Sequence, residues 1–425
     1  MSRLWLRDGT RYKRLAAPAA AALAHGLRMV VNLVVIKFIS VVMGPAGLGL
    51  LGNLMSATTM VMLFSGGGII NGITKYVAEY NSRPDRQRQF LQGATAYGFT
   101  ASAIVLLISF IAARPIAVAL FGTADMAWLI PLLGVAYLLC FIGGSIIATV
   151  NGKQQPHYFA LITASGYLAV IPVAFLLIKC GGMPGAAIAL VAVVVSTAIP
   201  AVIVGTRSGL MPMLRPRYHR EDSKRLFRFT CITLVSATAF PLTEIFIRTH
   251  LTEHLGITST GIWQATARLS GAILGFFTVY LATSHMPRLS AITERKAAAA
   301  AVIRALCIIG PVFACAALLI YIMRSVVIQL LFSSSFSALE NIIGWQLIGD
   351  FFRVCSYVVG FLVVAKAALK VHIAAEITQC LLYLGFALSA VWMGFGLREV
   401  AKAYALTYAI YFILTLLALR RYATR

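Results

Sequence analysis

Twelve long apolar segments, each ended by charge, proline or glycine, run through this chain at 18–43, 47–80, 91–113, 127–150, 156–178, 184–206, 228–249, 257–284, 300–323, 341–365, 371–393 and 400–419. A helix crosses a bilayer in roughly 20 apolar residues. In lipid every backbone donor and acceptor must be satisfied internally, so a succession of such segments folds as a bundle of helices. An all-α integral membrane protein with twelve transmembrane helices is expected. Composition leaves no room for another class: the 425 residues are 60% hydrophobic and 12% charged, with a mean hydropathy of +0.88. A soluble domain has about 45–50% apolar and 25% charged residues.

The 36 Lys and Arg against 13 Asp and Glu give a formal charge of +23. In a soluble chain that excess would suggest nucleic acid. Here the basic residues are scattered between apolar segments and form no stacked groove, so membrane topology explains them. With the N-terminus inside, about 25 of them fall in cytoplasmic segments, against about 6 outside, which places both termini in the cytoplasm. The first segment is too long for a cleaved signal, and Arg28 interrupts it. The seven cysteines lie mostly within apolar segments without CxxC spacing and read as small buried hydrophobes.

The longest hydrophilic connection, RSGLMPMLRPRYHREDSKRLFR, divides the chain into an N-lobe at 1–206, a basic cytoplasmic linker at 207–227 and a C-lobe at 228–425. The loops at 81–90 and 151–157 recur about 212 residues later, and PAGLGL maps onto ITSTGI, aligning Gly49 with Gly261. An even number of helices per half gives the halves the same orientation, related by an axis along the membrane normal. Two pseudosymmetric lobes around a central site form a transporter plan.

Charges at membrane depth cost about 2.5–3.5 kcal/mol each even on lenient scales, so each calls for a partner, water or a role. Arg28 shares a helix face with Asn32, whereas Lys37 lies about 180° around. Asn71, Lys75 and Glu79 form an i, i+4, i+8 stripe after Gly66-Gly67-Gly68, where the helix is expected to bend; a Lys75–Glu79 pair is the plain alternative to a substrate role. Glu244 and Arg248 form another i, i+4 pair after Pro241, near the outer surface, suited to a gate or rim. Arg268 falls near the midplane with no acid one turn away, which suits an anionic ligand. Gln346, Asp350, Arg353 and Tyr357 share a face, where Asp350 and Arg353 read either as a site or as a structural ion pair. Glu376 with Gln379 sits shallower. His250, Glu253 and His254 have metal-like spacing without a further ligand, and no metal is expected there. No nucleotide, hydrolase or cofactor motif occurs, so transport draws on a gradient or on the substrate itself.

The segments GPAGLGLLGNL, IINGITKYVAEY, GIWQATARLSG and WQLIGDFFRVCSYVVGFLVVAKAALKVHIAAEITQ resemble the Wzx flippases of the multidrug/oligosaccharidyl-lipid/polysaccharide (MOP) exporter superfamily. The likeness runs over all twelve segments and is strongest to the branch that flips lipid III of enterobacterial common antigen, with O-antigen flippases next. It implies a V-shaped, two-lobed, MATE-like transporter in the bacterial inner membrane. Such a protein moves an undecaprenyl-pyrophosphate-linked oligosaccharide from the cytoplasmic to the periplasmic leaflet by alternating access, without a cofactor. Other membrane proteins of polysaccharide assembly are candidate partners. Carried onto this sequence, the resemblance covers Lys37, Asn71, Lys75, Trp263, Gln264, Trp345, Gln346, Asp350, Arg353, Lys366 and Glu376. The cations Arg28, Lys75, Arg268 and Arg353 suit a pyrophosphate. Trp263, Trp345 and Tyr357 either stack on sugars or pack between helices. Asp350 or Glu376 would couple protonation to conformation, with Glu79, Glu244, Arg248 and Lys366 as gating candidates.

The rivals fit less well. A multidrug exporter of the same superfamily wants an acidic cavity for cationic drugs. A lipid II flippase of the related type has fourteen helices. A polysaccharide polymerase or lipid-linked glycosyltransferase generally needs a sizeable outer loop, and nothing resembles a channel filter.

Overall fold

The computed structural model describes the backbone of residues 5–366 and 368–424, and their side chains apart from 5–22, 228, 232, 236, 283 and 369. The basic N-terminal side chains Arg3 to Arg14 lie outside that description. The helices are α1 (Trp5–Leu50), α2 (Gly52–Phe64), α3 (Ile70–Glu79), α4 (Pro84–Ile111), α5 (Ala113–Phe121), α6 (Leu129–Gly152), α7 (Pro156–Val195) and α8 (Ala198–Arg207). They continue with α9 (Arg220–Tyr280), α10 (Met286–Ala291), α11 (Arg295–Ile322), α12 (Arg324–Leu331), α13 (Ile343–Ala365), α14 (Leu369–Trp392) and α15 (Leu397–Thr424). Among the described residues there is no strand. The fold is all-α.

Among the described residues, nine helical stretches are long and apolar enough to cross a membrane, or ten when the bent pair at 52–79 counts as one span. Three of the long ones are not single rods. Gly182 (φ 53°) interrupts α7 and Gly256 (φ 80°) interrupts α9, left-handed conformations that glycine adopts at little cost. Gly44 (φ 63°) does the same near the end of α1. Divided at these glycines, the helices are consistent with twelve spans. Exposed apolar side chains such as Ile111, Leu176, Ile322 and Leu330 fit a lipid-facing surface. Four cysteines, Cys180, Cys231, Cys307 and Cys315, belong to that exposed surface, which corrects their expected burial; only Cys355 and Cys380 are fully buried.

The chain forms two compact units: 1–38 with 53–238, and 39–52 with 239–425. Their boundaries depart from the linker in two places, since 39–52 group with the second unit and 228–238 with the first. In the first unit α6 is central and packs on α3, α4, α7 and α8. Small residues permit the approach: a Cβ on Gly143 would lie 2.8 Å from the Ala198 Cα, and one on Gly152 would lie 2.9 Å from the Thr74 carbonyl oxygen. Ile69, Ile73, Val77, Phe90, Leu91 and Phe141 fill the core beside α3. The segment from 208 to the start of α9 is fastened to this unit. Arg86 donates to both Asp222 oxygens at 2.6 and 3.0 Å, and the Arg217 amide donates to the Gln92 carbonyl at 3.1 Å.

In the second unit α13 and α15 pack most closely, at Gly349, where a Cβ would lie 3.2 Å from the Ala405 Cα. The two halves repeat one another. Gly256 follows Gly44 by 212 positions, and Gly394 (φ 75°) follows Gly182 by the same interval. The helix order α4, α5, α6 recurs as α11, α12, α13, with α4 packed on α6 as α11 packs on α13.

Candidate functional site

In the first unit, α2 ends because Gly66, Gly67 and Gly68 all have positive φ, and the chain bends by 41° before α3. The break frees backbone groups, and one hydroxyl takes two of them. Tyr137 Oη donates to the Phe64 carbonyl at 2.6 Å and accepts from the Gly67 N–H at 2.9 Å. Beside this break lies a cavity of about 360 Å³, lined by Arg28, His25, Asn71, Thr163 and Tyr167 with apolar walls such as Leu139. Arg28 is the residue of fixed charge on its described wall.

The neighbouring candidates are distributed differently. Asn32 is exposed and donates to the Arg28 carbonyl of its own helix at 2.8 Å, so it is not on the cavity wall. Lys37, half-buried, does not line the cavity either. Lys75 and Glu79 are both exposed, and no ion pair joins them. The Lys75 ammonium instead lies over the rings of Tyr76 and Phe229, at 5.1 and 5.9 Å.

In the second unit the Gln346–Asp350–Arg353–Tyr357 face is assembled, with a correction to its central contact. Asp350 and Arg353 form no direct ion pair. Asp350 is fully buried and accepts from Ser270 Oγ at 2.6 Å and from Tyr404 Oη at 2.8 Å. The Tyr404 oxygen in turn accepts from Arg353 Nη1 at 3.1 Å, while Arg353 Nε donates to Tyr357 Oη at 2.9 Å. Gln346 donates to Ser270 Oγ at 2.8 Å. The Arg353 guanidinium also lies over Phe240 at 4.3 Å and Tyr408 at 4.9 Å. A buried cation is thus held by rings and hydroxyls, with the carboxylate one hydroxyl away.

In the i, i+4 pair after Pro241, Glu244 and Arg248, the arginine packs with Gln264. Arg248 is 1% exposed. Its Nε and Nη2 both donate to Gln264 Oε1, at 3.1 and 2.8 Å, whereas Glu244 stands 3.9 Å away. Trp263 is buried 5.5 Å beneath the Arg248 guanidinium, so its ring packs within the protein and is not laid open for a sugar. Trp345 faces the Lys402 ammonium at 5.6 Å. Arg268 is different. Its Nε and Nη2 are buried without a hydrogen-bond partner, a costly state for a guanidinium. Glu376 accepts from Gln379 at 2.6 Å, and Lys366 donates to the Ile292 carbonyl, which ties down a loop. His250 and His254 each bond the carbonyl one turn back.

Sequence inspection missed Tyr404, Ser270 and Tyr137. For Tyr404 a signal existed: Tyr404, Tyr408 and Tyr411 recur at i, i+4 and i+7, one face of an otherwise apolar helix.

A family model described as polysaccharide biosynthesis protein matches residues 19–293. The chain belongs to the polysaccharide biosynthesis protein family. Within this family it is similar to the lipid III flippase of Escherichia coli (strain K12), 32% identical over 387 residues that cover 90% of this chain and 92% of the relative. The lipid III flippase of Shigella flexneri matches to the same extent. Among solved structures, the fold resembles an inward-facing multidrug resistance MATE family transporter of the MOP superfamily, with a TM-score of 0.76 at 14% identity, covering 93% of this chain and 96% of that one. The outward-facing conformation gives 0.65 at 14% identity, covering 97% and 96%. A MOP superfamily transporter from Pyrococcus furiosus, whose binding pocket is described as reversed in polarity, gives 0.62 at 13% identity, covering 96% and 95%. These structures establish the fold of this family member: a multi-pass membrane protein with the MOP transporter architecture.

Proposed function

We propose that the chain is a flippase that carries an undecaprenyl-pyrophosphate-linked oligosaccharide, lipid III or a related unit, from the cytoplasmic to the periplasmic leaflet of the inner membrane. It is a transporter and makes or breaks no covalent bond. Both termini lie in the cytoplasm in this reading, and α1 and α9 each contribute residues to both compact units. The likeness to lipid III flippases supports this substrate class. The observation on this chain that carries the reading is Arg268, whose buried Nε and Nη2 have no partner. Two idle guanidinium donors match the phosphate oxygens of a diphosphate, which they bind in a planar fork. In the first unit, Arg28 on the cavity wall offers a cation to an anionic group, and Asn71 a donor to a sugar hydroxyl.

The test is flipping of a fluorescent polyprenyl-diphosphate oligosaccharide in proteoliposomes. Losing a charge-assisted hydrogen bond of about 1.5–3 kcal/mol slows transport about tenfold to a hundredfold. That loss is expected for Arg268→Ala, with a smaller one for Arg28→Ala. Full activity in Arg268→Ala would move the diphosphate elsewhere. Absence of flipping by the wild type would refute the assignment.

A further inference from the structure

Among the described residues, the buried polar cluster of the second unit has no counterpart at the repeat positions of the first. At the repeat interval of 212 positions, Asp350, Arg353 and Tyr404 correspond to Leu138, Phe141 and Ala192. In the first half Phe141 is a buried core residue with its ring against Gly66 and Gly98. The same helical scaffold therefore folds with apolar residues at these places. The acid, the cation and the hydroxyl between them carry the cost of burial without being needed for the fold of a half.

We infer that the Tyr404 hydroxyl couples protonation of Asp350 to the release of Arg353 toward an anionic ligand, which makes Tyr404 a positioning residue for the diphosphate head. This deepens the flippase reading and rests on it. With Asp350 ionised, the chain of bonds is complete: Tyr404 gives its hydrogen to Asp350 Oδ1, and its lone pair receives Arg353 Nη1. A proton taken from water onto Oδ1 turns that oxygen into a donor. The Tyr404 oxygen then receives a hydrogen from Asp350 in competition with Arg353 Nη1, and its own hydrogen must turn elsewhere. The counter-charge that stabilises the buried guanidinium disappears in the same event. Arg353, 9% exposed, gains most by pairing with an incoming phosphate. By linkage, anion binding then favours proton uptake to the same degree that protonation favours anion binding.

No other carboxylate is bonded within the chain from Ser270 to Arg353. The groups facing the cluster are Tyr357 on α13, Tyr408 and Tyr411 on α15, Tyr383, Cys380 and Glu376 on α14, and Glu244 on α9. From α11 comes the apolar Phe313. Glu376 is already hydrogen-bonded to Gln379. Tyr408 packs its ring on Arg353, but its hydroxyl has no partner, so that hydroxyl transmits nothing.

The experiment measures binding of a short-chain polyprenyl-diphosphate-linked monosaccharide to the purified full-length protein between about pH 5 and pH 8. The charge of this diphosphate diester is constant over that range, because it lacks the phosphate monoester that titrates near about pH 6. Wild-type affinity is expected to rise about tenfold toward low pH, within the usual span of coupling between sites. Asp350→Asn should bind as tightly as the wild type at low pH and vary less than about twofold. Tyr404→Phe keeps the ring and should flatten the profile likewise, whereas Tyr408→Phe should retain it. A wild-type slope that survives in both Asp350→Asn and Tyr404→Phe overturns the inference and leaves the flippase reading intact. Failure of the wild type to bind the probe at any pH overturns both.

Discussion

Gly49 and Gly261 meet backbone to backbone: a Cβ on Gly49 would lie 2.7 Å from the Ile257 carbonyl oxygen and 3.1 Å from the Gly261 amide nitrogen. A Cβ on Gly261 would in turn run into the Pro45 carbonyl. The two are equivalent positions of the repeat, 212 residues apart, and both belong to the second unit. Because rigid backbone forms the obstacle, Gly261→Ala is expected to destabilise by about 1–3 kcal/mol, as overpacking does. Gly271→Ala, in the same helix with nothing within 4 Å of its Cβ position, should be neutral or stabilising by up to about 1 kcal/mol. Thermal unfolding in detergent compares them; equal melting of both variants would contradict the close approach.

Tyr137 is the cap of the glycine break. Tyr137→Phe leaves the Phe64 carbonyl and the Gly67 N–H without their shared partner and should cost about 1–3 kcal/mol. Hydrogen exchange at 64–69 is expected to quicken in this variant, while exchange in α13 stays as it is. Unchanged protection at 64–69 would mean the hydroxyl does not hold the break.

Phe141 explains two glycines at once. Its ring occupies the space a Cβ would take on Gly66 and on Gly98. Gly98→Ala should therefore destabilise by about 1–3 kcal/mol, and a smaller partner, Phe141→Leu, should recover part of that loss in the double variant. Simple additivity of the two changes would show that they do not share the space.

Arg86→Ala strands Asp222, which is 1% exposed. Breaking a buried pair costs about 3–5 kcal/mol, and the loss here should fall at or below the lower end because the Arg86 side chain is 28% exposed. Arg86→Ala combined with Asp222→Asn should be less destabilised than Arg86→Ala alone. Proteolysis of the segment 208–220 reads out the loosening directly; resistance equal to wild type would refute the fastening.

Asn32→Ala is expected to leave flipping within about twofold of wild type, because Asn32 bonds its own helix. A loss as large as that of Arg28→Ala would return Asn32 to the site.

The helical class, the bend after the three glycines and the breaks near 182 and 256 were legible in the sequence, because apolar runs and glycine act locally. That Arg268 has no acid one turn away was legible too, since this is a property of one helix. The arrangement around Asp350 was only half legible. Spacing of three residues brought Asp350 and Arg353 onto one face, but the group that separates them comes from a helix fifty residues further on. The same limit hid the Gln264 partner of Arg248. Tertiary partners across helices leave no periodicity in either strand of sequence they join.

The repeat of bends at 212 positions, with its polar cluster in one half only, bears on what a duplicated chain can do that a dimer cannot. Two identical subunits would have to hold every buried acid twice, doubling the desolvation. Fusion into a single polypeptide lets one half lose or gain a charge while the other keeps the ancestral geometry. A buried ionisable cluster in one half alone then becomes accessible by ordinary point mutation.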